Sequence, residues 1–167
     1  MLLTSFGLKT FDLKDFVVIV ESGHRGNILA NMALSLNAHE AVKINMEGSP
    51  VKSGIEVRRV ISYLRSGKHT FLAPDGPFGP AHKAKPGAVF IAQKGEAIIV
   101  PCGGWTNQAF QLRRWDRYIV AIPFCKINIV FREPILISSS MDRADVQALM
   151  ETELSIARNK AWTLANS

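Results

Sequence analysis

The chain has 167 residues and a mass of 18.4 kDa, a length that suits one domain with a sizeable core. Apolar residues make up 47% and charged residues 20%, which excludes bulk disorder, and no apolar run approaches the about 20 residues of a membrane-spanning helix. Twenty Lys and Arg against 14 Asp and Glu leave +6 at neutral pH, so the protein should be drawn to polyanions such as anionic lipid, nucleic acid or an acidic partner protein.

The opening Met1-Leu-Leu-Thr-Ser-Phe-Gly-Leu lacks a basic stretch and a small-residue cleavage pattern, and does not read as a signal peptide. The β-branched run 16–20, ending at Ser22-Gly23, predicts a buried strand. Asn27 could cap a helix through about residue 36, with Ile28, Leu29, Met32, Ala33 and Leu36 on one face. A short strand at 41–44 and the loop Glu47-Gly-Ser-Pro50 come next. The following helix places Val57, Val60, Ile61 and Leu64 on one face, Arg58, Arg59 and Arg65 at more polar positions, and stops at Ser66-Gly67. A strand at 70–72 runs into a loop rich in Pro and Gly, residues 73–86. A helix at 87–94 and an apolar strand at 97–100, ending at Pro101, follow it. Residues 105–112 show no clear period. Strands are expected at 118–122 and 126–131. A closing helix over 145–158 would turn Val146, Leu149, Met150, Leu154 and Ala157 inward.

This order argues for a single α/β domain over 1–167, a layered fold with a largely parallel sheet flanked by helices. Ligands of such sheets bind beyond the carboxyl ends of the strands. That rule singles out three loops: 21–26, 73–86 and 101–104.

The Asp75-Gly-Pro-Phe-Gly-Pro80 box is the sharpest local feature. Its prolines fix φ and its glycines open conformations that other residues avoid. Asp75 is its carboxylate, and His82, Lys83 and Lys85 follow just before a helix start at Gly87. Free amides at that start plus two lysines would make a phosphate site; the plainer reading is a rigid connection in which Asp75 only caps backbone amides. Arg113-Arg-Trp-Asp-Arg-Tyr118 mixes cations and aromatics, suited to base stacking, to a membrane interface, or to ordinary Arg–Asp pairing against the sheet. Cys102 and Cys125 lack metal-ligand spacing and read as small buried apolar residues in a reducing compartment. No Walker loop, nucleophile elbow or zinc-spaced cluster is present.

Around this box the chain resembles the lysophospholipid acyltransferase-like (glycerolphosphate acyltransferase) superfamily, in its bacterial branch with a DGP-x-GP box. The resemblance runs through Arg65-Ser-Gly-Lys-His-Thr-Phe-Leu-Ala-Pro-Asp-Gly-Pro-Phe-Gly-Pro, Lys85-Pro-Gly-Ala-Val-Phe-Ile-Ala, Ala97-Ile-Ile-Val-Pro-Cys-Gly, Arg114-Trp-Asp-Arg-Tyr, Pro123-Phe124 and Glu133-Pro134-Ile135, and covers roughly residues 16–137. It implies a glycerolphosphate-acyltransferase-like fold and acyl transfer from acyl-CoA or acyl carrier protein to the hydroxyl of a lysophospholipid or related acceptor. The donor is a substrate, and neither a cofactor nor a metal is expected. It also implies a cytoplasmic protein, peripheral on the anionic inner-membrane surface, with no nucleic acid among its partners.

By the same resemblance Asp75, Gly76 and Pro77 lie at the acceptor site, Pro101 shapes its wall, and Lys83 and Lys85 could bind the phosphate that Phe78 cannot. The family's base is a His with an acid five positions later. Here His24, His39, His69 and His82 are followed at that spacing by Leu29, Ile44, Pro74 and Gly87. Three expectations fit: a domain lacking its N-terminal part, a pseudoenzyme that binds lipid or anion without turnover, or a rearranged site using His24.

Overall fold

A computed structural model describes residues 13–45, 50–76, 79–113 and 115–167, the side chains of 50–52 excepted. Two of the sequence expectations, Pro77 and Phe78, lie outside the described residues, as does most of the Glu47-Gly-Ser-Pro50 loop.

Strands β1 (Phe16–Glu21), β2 (Glu40–Ile44) and β3 (His69–Phe71) form a parallel sheet in the order β2-β1-β3. Helix α1 (His24–Ser35) joins β1 to β2, and α2 (Pro50–Arg65) joins β2 to β3. Alternation along β1 separates two cores. Val17 and Ile19 face one side, where Val42, Ile44, Val60 and Ile91 close around them with Val57, Ile61 and Leu64 of α2. Phe16 and Val18 face the other, with Leu13, Ala33, Ala38 and Phe71. The sheet therefore sits between α1 on one face and α2 with α3 (Pro86–Lys94) on the other, as expected.

The face of α1 differs from the expected one. Gly26, Ala30 and Ala33 are its buried residues, while Ile28 is half exposed. The helix starts four residues earlier than an Asn27 cap allows, with Gly23 as N-cap and the Asn27 amide donating to Gly23 O at 2.9 Å. A Cβ on Gly26 would stand 1.7 Å from Glu21 O. The helix lies so close to the end of β1 that small residues, not large apolar ones, face the sheet.

The parallel order covers only the first half of the chain. Residues 97–100 do not join the sheet. Ile99 makes an isolated antiparallel bridge to Ile135, with Ile99 N to Ile135 O at 3.1 Å and the reverse bond at 2.7 Å, and Ile98 and Val100 are exposed. Strand β4 (Cys102–Trp105) pairs antiparallel with β7 (Asn128–Phe131), and β5 (Ala109–Gln111) with β6 (Ile119–Ala121). The expectation of a strand at 97–100 rested on an unbroken apolar run, which carries no period and cannot say what pairs with it.

The closing helix α4 (Arg143–Asn166) has 24 residues and outruns the expected 145–158 at both ends. The Asp142 carboxylate caps it, accepting from Ala144 N at 2.8 Å and Asp145 N at 3.3 Å. Val146, Met150, Ala157, Ala161 and Ala165 are its buried stripe, and Leu149 points outward. A third core joins Val146, Met150 and Leu154 to Ala84, Val89, Ile99 and Ile135. Among the described residues no helix is long and apolar enough to cross a membrane.

Candidate functional site

The loop after β3 is closed by its own backbone. Gly76 N donates to Ala73 O at 3.2 Å, Gly79 N to Asp75 O at 3.1 Å, Lys83 N to Pro80 O at 3.2 Å and Lys85 N to Pro74 O at 2.7 Å. The last of these ties the end of the loop to its beginning. Gly79 has φ +72° and precedes a cis proline. A Cβ there would also stand 2.4 Å from Trp115 Cε3, so both conformation and space demand glycine. The described ends of the box, 75–76 and 79–80, are thus tied by backbone bonds and by a glycine that no other residue can replace.

The loop forms one wall of a cleft of about 670 Å³. Pro74, Asp75, His82 and Lys83 line that wall, Cys102, Gly103 and Gly104 of β4 face them, and Glu151, Ser155 and Arg158 of α4 complete it. Two of the three loops singled out from the sequence thus meet across one space. The third, at 21–26, is not part of it. His24 there begins α1, beside Arg25 paired to Glu21 at 2.6 Å, and does not line this cleft.

Asp75 lines the cleft, and its Oδ2 accepts from His82 N at 2.9 Å, so the carboxylate acts as a cap for the turn. His82 takes φ +64°, a left-handed conformation that this bond helps to hold. Lys83 Nζ donates to Glu151 Oε2 at 3.1 Å, and the other oxygen of Glu151 accepts from Ala84 N at 2.9 Å. The Lys83 ammonium is the largest cause holding the Glu151 carboxyl below its ordinary value; burial opposes it and the Ala84 amide adds to it. Lys83 is therefore already engaged, although at 68% side-chain exposure solvent screens the pair.

Lys85 caps α3 in extended backbone and is absent from the cleft lining. The amides just before the helix are engaged, Ala84 N with Glu151 and Lys85 N with Pro74 O, and within its first turn Ala88 N donates to Lys85 O at 3.2 Å. Pro101 is fully buried behind the wall; its carbonyl accepts from Arg132 N at 2.9 Å, and residues 102–104 form the surface.

Four contributors come from α4 or face it; Gly103 lies in the loop 101–104 singled out from the sequence, whereas the three on α4 were not read as site residues. Glu151 and Gln147 clasp the loop, the latter by Nε2 to Ala84 O at 2.7 Å. Arg158 lines the cleft and has no carboxylate partner among the described residues. Gly103 lets α4 approach: a Cβ there would stand 2.5 Å from Arg158 N and 2.7 Å from Ala157 C. The only sequence trace of this contact is the pairing of Gly103-Gly104 with small residues at Ala157 and Ala161, one helical turn apart.

Electrostatics mark the same corner. His82 titrates below its ordinary value, first because of burial, then because of the Arg158 charge; Asp75 opposes the shift and Arg117 adds to it. The imidazole is therefore uncharged at neutral pH, and protonating it costs stability progressively as pH falls below about 6.5. Burial pushes the Cys102 thiol up, keeping it protonated and a poor nucleophile. Both cysteines are half buried rather than buried, and both are free. The other histidines are exposed; His39 stands edge-on to Tyr63 and His69 lies tilted against Phe16. Arg59 of the 58–59 charge cluster pairs with Glu40, which also accepts from the Tyr63 hydroxyl.

No protein-family model matches the chain, and no solved structure matches it. It is similar to an uncharacterized protein of Rickettsia prowazekii (strain Madrid E), 35% identical over 89 residues, which is 53% of this chain and 41% of that protein. The chain thus spans less than half the length of the curated relative it matches.

Proposed function

We propose that this chain is an acyltransferase-like protein. It would hold a lysophospholipid or related lipid whose hydroxyl takes a fatty acyl group from an acyl thioester, acyl-CoA or acyl carrier protein. The observation that carries this reading is the cleft itself, in which the rigid turn after β3 faces the wall after Pro101, with Arg158 and an uncharged His82 between them. An acidic headgroup fits there because Arg158 is a cation at the cleft without a carboxylate partner among the described residues. In the transfer the thioester C–S bond breaks, the ester C–O bond forms, and the hydroxyl proton ends on the released thiol. The protonated Cys102 favours direct transfer over an acyl intermediate on its sulfur. The protein would work at the cytoplasmic face of the inner membrane, as a peripheral protein on the anionic surface.

A second reading has its own support. None of the four histidines carries an acid five positions later, and Asp75 is occupied as a turn cap. A module that binds an anionic lipid without turnover would show these features. Incubating the chain with labelled acyl-CoA and lysophosphatidate separates the two: labelled phosphatidate supports the enzyme, and binding without transfer supports the module.

Both readings make Arg158 the main anion contact. Arg158→Ala should weaken lysophosphatidate binding about tenfold, the equivalent of ~1.4 kcal/mol and the low end for a charged hydrogen bond. Lys85→Ala should change it little, because Lys85 is off the cleft. Titration calorimetry with each variant measures this, and a Lys85 effect larger than that of Arg158 would return the anion to the helix start.

A further inference from the structure

Strands β5 and β6 form a ribbon that pairs with itself and packs little against any other strand or helix. The register sets Phe110 opposite Val120, and the Ile122 amide donates to Gln108 O at 2.9 Å. Side chains two apart share a face, so Phe110, Leu112, Val120 and Ile122 form one apolar strip. Phe110 is 59% exposed, Leu112 and Ile122 are also exposed, and Phe124, at φ +67°, stands wholly in solvent. The charges around this strip have one dominant sign. Between Trp105 and Lys126 the chain carries Arg113, Arg114, Arg117 and Lys126 against the single carboxylate Asp116. Arg113, Arg117 and Lys126 are exposed.

We propose that this ribbon docks the protein on an anionic bilayer, with Phe110, Leu112, Ile122 and Phe124 entering the headgroup–acyl boundary and the cations contacting lipid phosphates. Aromatic and aliphatic side chains bordered by Arg and Lys match the two layers of that boundary. A second copy of the chain fits less well. Strands of three residues each offer a small strip against the about 800 Å² per partner of a stable interface, and a two-fold contact would bring like charges together. Nucleic acid would use the cations but leave the aliphatic strip in water.

The ribbon's position fits the same occupant. Its tip returns to the cleft, where Trp115 lies against Gly79, and the Arg117 charge reaches His82. A docked ribbon would hold the cleft beside the headgroup layer. The inference rests on the reading above only for the membrane origin of the acceptor.

The test is co-sedimentation of the full chain with phosphatidylcholine vesicles, with and without phosphatidylglycerol. Wild type should partition strongly only to the anionic vesicles. Phe110→Ser and Phe124→Ser should each weaken partitioning about tenfold, and Arg113→Gln and Lys126→Gln about fivefold each. Thermal midpoints should not change, because these side chains are exposed. Equal partitioning of the Phe variants, equal binding to neutral vesicles, or a dimer in lipid-free gel filtration that the Phe variants dissociate would overturn the proposal. Vesicle binding that persists while soluble short-chain lysophosphatidate fails to bind would support the docking and overturn the acceptor reading.

Discussion

Replacing Gly26 with Ala should lower the thermal midpoint by about 4–8 °C, the equivalent of ~2 kcal/mol for a chain of this size. Two effects oppose each other at this position. Ala in a helix interior is favoured over Gly by about 1 kcal/mol. The added methyl, however, would stand 1.7 Å from Glu21 O and 2.9 Å from Glu21 C. These are backbone atoms at the end of β1, and they cannot rotate away as a side chain could. Relief requires moving α1 off the sheet, which opens the core holding Ala33, Ala38 and Leu13. Overpacking against a fixed backbone costs about 1–3 kcal/mol and sometimes more, so the clash outweighs the helix propensity. Thermal unfolding followed by circular dichroism measures it. A midpoint equal to or above wild type would mean that α1 does not approach β1 this closely.

Gly103→Ala should damage both stability and binding. Its methyl would meet Arg158 N at 2.5 Å, Ala157 C at 2.7 Å and Arg158 Cα at 2.8 Å, all backbone of α4. The helix must shift or tilt away from β4, and Ala157 and Ala161, now fully buried, would lose their contacts. A loss of about 2–3 kcal/mol follows from overpacking. Because Glu151 and Arg158 ride on the same helix, the cleft deforms with it. Lysophosphatidate affinity should fall about tenfold or more, at least as far as for loss of Arg158 itself. Gly104→Ala is the matched control: its Cβ would meet nothing nearer than Asn128 O at 3.8 Å. Calorimetric melts and titrations on the two variants decide the matter, and equal behaviour would refute the close packing of α4 on β4.

The parallel half of the fold was legible because local patterns determine it. The β-branched run of β1 and the i, i+3, i+4 spacing of Val57, Val60, Ile61 and Leu64 each imply their own element, and their alternation implies the crossovers. The antiparallel half was not legible. Ile99 pairs with Ile135 and Cys102 with Phe131, partners about thirty residues away that no local period encodes. The last turns of α4 were missed because Ala161 and Ala165 replace the large apolar residues that mark a buried face.

The site divides in the same way. Asp75, Gly76 and His82 could be read because proline and glycine force the turn that presents them. The Lys83–Glu151 contact could not be read for a physical reason: a lysine in a charged segment can satisfy an acid on a distant helix, and Glu151 lies 68 residues from Lys83. Arg158 sits in a helix where half of the residues are charged or polar, and the packing of Gly103 against Ala157 brings it to the cleft.

The central claim is that the cleft between the turn after β3 and helix α4 receives an anionic headgroup beside His82 and Arg158. The titration of the His82 imidazole, followed by NMR with and without saturating short-chain lysophosphatidate, tests it most directly. The bare protein should show His82 below its ordinary value, because burial and Arg158 disfavour its charge. A bound phosphate neutralises Arg158 and adds negative charge at the ring, so the midpoint should rise toward or above about 6.5. An unchanged His82 titration at saturating ligand would place the headgroup elsewhere and contradict the account.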